Sequence, residues 1–282
     1  MGFTSQGAAQ AAGTKDEASK KEYRIQLEPI LIAGLKNIKS LARGSNHVLA
    51  LDNKGNVFSW GSWQQCQIGR RPPARTPFSG LTPAPFMKRI KYIAAGTYHS
   101  FAIDTRGRVW AWGLNNFGQT GIASNAGQDG AIINTPTQVK SLNSYKIKQI
   151  KGGVHHTIAC TEDGQVLIWG RCDEDQAGID LSTLPQDDLI FSNGKPGILT
   201  KPTVVPGISA AFVAAGIDNS MVASKEGTVY AWGFSENYRT GLGTVNNVTR
   251  PTLVENSAVK GKRMTFVGCG GQFSVLAGPE NR

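Results

Sequence analysis

Residues 43–69 read RGSNHVLALDNKGNVFSWGSWQQCQIG, and the same pattern returns three times farther along the chain. The other copies are AGTYHSFAIDTRGRVWAWGLNNFGQTG at 95–121, GGVHHTIACTEDGQVLIWGRCDEDQAG at 152–178 and AGIDNSMVASKEGTVYAWGFSENYRTG at 215–241. A fifth copy begins as CGGQFSVLAG at 269–278. Repeats with a period near fifty residues predict a chain of repeated structural units, with frames starting near residues 44, 96, 153, 216 and 270.

Glycine holds the same four places in each of the first four copies. In the first copy these glycines are Gly44, Gly55, Gly61 and Gly69, and Gly61 follows a Trp. An anchor residue comes three positions after the glycine that starts each frame, which is Gly44, Gly96, Gly153, Gly216 or Gly270. The anchors are His47, His99, His156, Asn219 and Phe273. Because three anchors are His at one repeated strand position, we interpret them as packed core residues with a satisfied ring nitrogen rather than as ligands.

Each copy predicts short antiparallel strands. HVLALD and NVFSWG are rich in apolar and β-branched residues, and the segment D-N-K-G between them is a turn with Gly where a positive φ is needed. Pro-containing segments at 23–32, 135–142, 200–207 and 250–256 are interpreted as outer strands. No copy contains a helical period. The sequence therefore predicts an all-β fold with one propeller blade per copy.

The glycine frame, the W-G pair and the closing Q-[LIAT]-G pattern together resemble the repeats of the regulator of chromosome condensation family. The resemblance covers residues 29–282, and residues 1–28 are expected to be a polar, disordered or loop segment. WD-repeat blades differ in carrying a Trp-Asp pair, and kelch blades carry a paired glycine that only two copies show. A kelch-like enzyme therefore remains a distant alternative.

The family resemblance implies an incomplete β-propeller. The segments Q-x-Q-I-G-R-R, GLNNFGQ, GGVHHT and VGCGGQFSV are similar to the later blades of the chromatin-bound exchange factors for the small GTPase Ran, which have seven blades. About four and a half blades are expected here, as in a C-terminal fragment or a shortened gene model. The complete protein is expected to be a nuclear, chromatin-associated monomer.

The resemblance also implies guanine-nucleotide exchange on Ran without bond-making chemistry. An exchange factor stabilises the nucleotide-free GTPase, so it needs no catalytic nucleophile. The sequence accordingly shows no hydrolase, zinc-protease or P-loop motif, and no cofactor or metal is expected. The alternative is a non-catalytic propeller scaffold of the same repeat family that binds another protein.

Polar residues that differ between copies mark a candidate recognition surface. The residue before each anchor, expected at the start of the innermost strand of its blade, is always able to hydrogen-bond. So is the third residue after each W-G glycine. Taken alone, these positions suit either a recognition face at the mouth of the channel or ordinary solvated strand ends. With the resemblance, the predicted GTPase-binding face comprises Asn46, Arg70, Asn116, His155, Asp218 and Gln272.

Charge is distributed unevenly along the chain. The 30 Lys and Arg exceed the 20 Asp and Glu, which favours an anionic partner. The loop at 70–89 is basic, and in the family the loop at this place reaches the acidic patch of the histones. The predicted contacts to a nucleosome, with DNA as a further partner, are Arg71, Arg75, Lys88 and Arg89. A merely solvated loop is the competing interpretation, and it is preferred for the acidic loop at 171–189.

No apolar stretch is long enough for a membrane span, and no membrane association is expected. The four cysteines are far apart and are interpreted as reduced thiols.

Overall fold

Each predicted repeat forms one antiparallel sheet in the computed structural model, which describes residues 27–74 and 83–280. Four sheets are followed by a two-stranded one, so the predicted all-β propeller arrangement of about four and a half blades is confirmed. The strands of the first blade are β1 Ile38–Arg43, β2 His47–Asp52, β3 Val57–Gly61 and β4 Ala84–Met87. Those of the second are β5 Ile90–Ala95, β6 His99–Asp104, β7 Val109–Leu114 and β8 Ile132–Gln138.

The third blade has five strands, one more than the first, second and fourth blades. Its strands are β9 Ile147–Gly152, β10 His156–Thr161, β11 Val166–Arg171, β12 Leu189–Ser192 and β13 Lys195–Val205. The fourth blade holds β14 Ala210–Ala215, β15 Asn219–Ser224, β16 Val229–Gly233 and β17 Val248–Leu253, and β18 Phe266–Cys269 pairs with β19 Ser274–Ala277. Short 3₁₀ helices lie at Ala123–Asn125, Lys140–Leu142, Leu181–Thr183, Gln186–Asp188 and Glu236–Tyr238.

The anchor residues do not lie on the innermost strand, contrary to the sequence-based expectation. The first strand of each sheet contacts the first strand of the next, so β1, β5, β9, β14 and β18 surround the central channel. The anchors begin the second strands. The residue before each anchor therefore lies in the tight turn between the innermost and second strands, which still places it at the channel mouth.

The described part of the first outer segment also differs from the prediction. Residues 27–32 form no strand, and the rest of segment 23–32 lies outside the described residues, as does most of the predicted polar segment 1–28. The predicted loop 70–89 contains the outer strand Ala84–Met87 of the first blade, which was not predicted because Pro83 precedes it and Pro85 lies within it. No helix within the described ranges is long and apolar enough to cross a membrane.

Anchor side chains pack on the glycine three positions earlier. A Cβ added to Gly153 would lie 2.6 Å from Cε1 of His156, so only glycine leaves room for the ring. The glycine of the W-G pair is required for a different reason. Gly113 has a φ of +101°, and its Cβ would lie 2.5 Å from the carbonyl oxygen of Tyr98. The first and third glycines of the frame are therefore required by packing and by backbone conformation.

A repeated set of hydrogen bonds joins neighbouring blades. His99 Nε2 lies 3.0 Å from Thr157 Oγ1, and that hydroxyl donates to the carbonyl oxygen of Gln119 at 2.8 Å. Trp169 Nε1 donates to the same carbonyl at 3.0 Å. Because the Thr157 hydroxyl is already a donor, His99 must donate through Nε2–H.

The same arrangement occurs at the junctions on either side. His47 lies 2.8 Å from Ser100, and His156 lies 3.1 Å from Ser220. These histidines are buried, with at most 2% of their surface exposed. They are therefore packed anchors between blades, as the sequence indicated.

Candidate functional site

The two ends of the sheets carry different residues. One end, here called the anchor end, holds the turns before the anchors and the loops that follow the W-G glycines. These segments lie at the same end because the W-G glycine pairs with the anchor, as Gly61 does with His47, in each of the four blades. At the other end, here called the hairpin end, lie the turns that join the second and third strands. The polar residues predicted to bind the GTPase belong to the anchor end.

The turns at the channel mouth are held by main-chain hydrogen bonds. The amide of Leu114 donates to the carbonyl of Tyr98 at 2.9 Å, and the amide of Arg171 donates to the carbonyl of His155 at 2.9 Å. Phe234 N donates to the Asp218 carbonyl at the same distance. Because the backbone is fixed in this way, the side chains project from defined points of a rigid rim.

Three predicted residues lie on the rim where the second, third and fourth blades adjoin. The ring of His155 lies 4.6 Å, centroid to centroid, from that of Phe117, which follows Asn116 in the chain. Asn116 Oδ1 accepts a hydrogen bond from Gln119 at 3.1 Å. Asp218 Oδ1 accepts one from Nε2 of Gln176, in the third blade, at 3.0 Å. Asn116, His155 and Asp218, together with the neighbours Phe117 and Gln176 that connect their blades, are here called the cluster.

The other predicted face residues lie apart from these contacts. Asn46 and Gln272 are exposed in the turns of the first and last sheets. Arg70 is half-buried and is directed back onto its own blade, where Nε and Nη2 donate to Ser59 Oγ at 3.1 Å and to Ser59 O at 3.0 Å. Burial lowers the pKa of Arg70. In this structure the Arg70 side chain fastens the start of the basic loop to β3.

The cluster also contains residues that the sequence analysis did not select. Phe117 and Arg171 contribute an aromatic ring and a guanidinium, whose Cζ lies 5.5 Å from the ring centroid. Arg171 lies 3.7 Å from Asp218 Oδ1 and 2.6 Å from Asp173 Oδ1. One signal was available, since the residue after the W-G glycine changes between copies from Ser62 to Leu114, Arg171 and Phe234.

The histidine of this cluster differs electrostatically from the anchors. Burial lowers the pKa of His155, and the nearby Arg171 lowers it further, while Asp218 and Asp173 act in the opposite direction. Complete burial lowers the pKa of His47 and His99 to about 3. Burial likewise lowers the pKa of His156 to about 4. The anchors are thus neutral at physiological pH, while His155 is half-buried at the rim.

The residues predicted to contact a nucleosome are divided between the two ends. Arg71 is exposed and follows the anchor-end segment 67–69, and Arg75 lies outside the described residues. Lys88 and Arg89 are exposed at the hairpin end, where the Arg89 carbonyl accepts from Thr105 N at 2.9 Å. The loop therefore does not bring its cations together at one end, because β4 runs the length of the sheet between them.

A basic cleft of about 470 Å³ lies at the hairpin end between the first two blades. Its cationic residues come from the segment that connects β4 to β5 and from the turn that joins β6 to β7 in the second blade. They are Lys88, Arg89, Arg106 and Arg108. The Arg108 guanidinium lies 5.3 Å from the Trp110 ring centroid and pairs with Asp104 at 2.7 Å. The remaining cations suit an anionic ligand.

The acidic loop at 171–189 is largely occupied by its own contacts. Asp180 accepts from Ser182 N at 3.1 Å, and Asp188 pairs with Lys201. Within the described ranges, no group of three His, Cys, Asp or Glu residues is placed to hold a metal ion.

Comparisons with known proteins agree with this architecture. The family model described as "RCC1-like domain" matches residues 1–276. Protein pim1 of Schizosaccharomyces pombe is 44% identical over 250 residues, which are 88% of this chain and 46% of pim1. Guanine nucleotide exchange factor SRM1 of Saccharomyces cerevisiae is 38% identical over 245 residues, or 86% of this chain and 51% of SRM1.

A solved structure shows the same fold. Prp20p from Saccharomyces cerevisiae, described together with its binding properties to Gsp1p and histones, superimposes with a TM-score of 0.80 at 37% identity, covering 85% of this chain and 55% of Prp20p. The chain thus spans about half the length of the relatives it matches. With four in-frame sheets, the anchor network and a family match across almost all of its length, the chain belongs to the RCC1-like domain family.

Proposed function

We propose that this chain acts in guanine-nucleotide exchange on the small GTPase Ran and that the anchor end is the GTPase-binding face. The observation that carries the proposal is the cluster of Asn116, His155 and Asp218, in which polar side chains from three consecutive blades share one rim. It is supported by the relatives, one of which is named a guanine nucleotide exchange factor and another described with its binding properties to Gsp1p.

Exchange by such a face requires binding alone. A protein that binds the nucleotide-free GTPase more tightly than the nucleotide-bound form must, by linkage, weaken nucleotide binding by the same factor. A tenfold weakening corresponds to about 1.4 kcal/mol of differential binding. The rigid rim suits this task because its side chains are held before the partner arrives, which lowers the entropic cost of binding the open GTPase.

The members of the face have different proposed roles. Asn116, with its amide partly engaged by Gln119, and Asp218 supply hydrogen-bonding groups, while His155 presents a neutral imidazole. Asn46 and Gln272 extend the surface along the rim to the flanking sheets. Arg70 takes part by holding the first turn of the basic loop on β3.

We further propose that the hairpin end binds chromatin, with nuclear localisation as the consequence. Lys88 and Arg89 line a cleft with two further arginines, and histones and DNA both present anionic surfaces to such a cleft. The GTPase-binding face lies at the opposite end of the sheets, so both partners fit at once. Arg71, at the anchor end, and Arg75 complete the predicted basic loop.

The test measures release of fluorescent GDP from Ran with and without the purified 282-residue chain, together with capture of nucleotide-free Ran. We expect faster release and preferential capture of the nucleotide-free form. His155→Ala should reduce both, whereas Thr252→Ala, a change on the exposed outer strand β17, should reduce neither. Equal capture of nucleotide-free and GDP-bound Ran, with no acceleration, would favour the scaffold alternative.

A further inference from the structure

The guanidinium of Arg171 lies where side chains from three blades meet. Arg171 is the last residue of β11, and 24% of its side chain is exposed. Its Nη2 donates to Asp173 Oδ2 at 3.1 Å, and its Nη1 lies 3.7 Å from Asp218 Oδ1, in the next blade. Its Cζ lies 5.5 Å from the ring of Phe117, in the preceding blade. One side chain therefore contacts both neighbouring blades.

Arg171 also contacts Asp218, which is predicted to bind the GTPase, and shares a partner with His155, which is predicted to do so as well. Phe117 packs against the His155 ring, so the same aromatic side chain contacts both His155 and Arg171. Asp218 is held by Arg171 and by Gln176, both of which belong to the third blade. The main-chain amide of Arg171 donates to His155 O at 2.9 Å, which fixes the turn that carries the imidazole.

Only an arginine makes this set of contacts. The planar guanidinium can present several N–H groups to two carboxylates while its flat face lies on an aromatic ring. A lysine would bring the same charge but a single ammonium group, which cannot reach both carboxylates and cover Phe117 in one position. The geometry thus depends on the shape of the group as well as on its charge.

We propose that Arg171 is a positioning residue of the GTPase-binding face, which holds the His155 ring against Phe117 and Asp218 against the third blade so that three blades present one surface. The inference rests on the proposed function and adds to it a residue that itself needs no contact with the GTPase. Gln176 has the supporting role on the Asp218 side.

The charges around His155 provide a readout that does not depend on the GTPase. The groups that act on its titration are Arg171, which lowers the pKa, and Asp173 and Asp218, which raise it. Removing the guanidinium leaves the two carboxylates unopposed, so the pKa of His155 should rise. The three other histidines are fully buried and have pKa values of about 3 to 4, so their signals serve as the internal reference for the His155 titration.

The experiment compares Arg171→Gln and Arg171→Lys with the unmodified chain. Histidine titration is followed by NMR, and GDP release from Ran is measured on the same samples. In Arg171→Gln we expect His155 to titrate at higher pH and release to slow about tenfold, in line with the loss of a charged hydrogen bond. In Arg171→Lys we expect His155 to titrate near its original pH and release to be only partly restored.

Arg250→Gln is the matched control. It removes a guanidinium 3.6 Å from Asp180, on the exposed outer part of the fourth blade, and should change neither readout. The inference is overturned if His155 titrates at the same pH in Arg171→Gln and in the unmodified chain, or if Arg171→Lys restores release completely. An unmodified chain that does not accelerate release would refute the proposed function instead, and the NMR titration would still decide whether Arg171 organises the cluster.

Discussion

Replacing either of the adjacent residues His155 and His156 with alanine should separate recognition from stability. His156 is fully buried, its Nε2 lies 3.1 Å from Ser220 Oγ, and its ring fills the space that Gly153 leaves open. His156→Ala removes that ring and leaves Ser220 with a single contact, 3.5 Å from the Gln176 carbonyl. Loss of a buried ring and of one hydrogen bond should lower the free energy of unfolding by about 2–4 kcal/mol.

His155→Ala has the opposite profile. The imidazole is half-buried and packs on Phe117, so its loss should cost about 1 kcal/mol or less of folding stability, the size of one aromatic contact. GDP release from Ran should slow, because the rim loses a side chain of its central cluster. His156→Ala should leave release close to normal at temperatures where the protein remains folded.

The assay is thermal unfolding and GDP release measured side by side on both variants and on the unmodified chain. For a domain of this size, the expected loss in His156→Ala lowers Tm by roughly 5–10 °C. An early-unfolding His155→Ala together with a stable, exchange-deficient His156→Ala would refute the reasoning, since the division of the repeat into packed anchors and rim residues would then be inverted.

Three further predictions concern acid stability, backbone conformation and charge. The free energy of unfolding should be constant above pH 6.5 and fall as the pH drops toward 4, because the three buried anchors stay neutral in the folded state while they protonate in the unfolded chain. Each anchor should contribute up to about 1.4 kcal/mol per pH unit. A free energy of unfolding that does not change with pH in denaturant titrations would contradict this. Gly113→Ala should destabilise the fold by more than about 2 kcal/mol, because the new side chain would have a positive φ and would contact Tyr98 O. Gly130→Ala, with a positive φ but open space around it, should cost about 1 kcal/mol. Equal losses of stability in unfolding experiments would show that the contact with Tyr98 O is relieved. Arg89→Ala should weaken nucleosome binding and flatten its salt dependence more than Arg71→Ala, because Arg89 lines the hairpin-end cleft; equal effects in binding titrations at two salt concentrations would speak against the cleft.

The repeat frame predicted the sheets because two of its glycines are required by the geometry of a single copy. Gly153 leaves room for the side chain of His156, three positions later, and Gly113 adopts a positive φ. Both requirements can therefore be recognised in the sequence of a single copy. The innermost strands were missed for the converse reason. Segments such as IKSLAR at Ile38–Arg43 lie before the frame and mix basic with apolar residues, so they show no clear alternation.

The site was predictable only where one copy could be compared with another. His155 and Asp218 stood out because their position varies while remaining polar. Arg171 and Phe117 act through contacts between different blades. The sequence pattern of one repeat does not indicate which of its residues will contact the neighbouring sheet. The direction of Arg70 was unpredictable as well, since its hydrogen bonds to Ser59 depend on the path of a loop.

The bonds between blades make each sheet depend on its neighbour, and this has a consequence for how the chain opens. Structures joined only to the next unit behave as a linear series, in which loss of order spreads inward from the weakest junction. At the last junction the His-to-hydroxyl contact is replaced by Asn219 Nδ2 and Cys269 Sγ, 3.7 Å apart. Amide hydrogens of β18 and β19 should therefore exchange with solvent first, and those of β10, enclosed between two complete junctions, should exchange last.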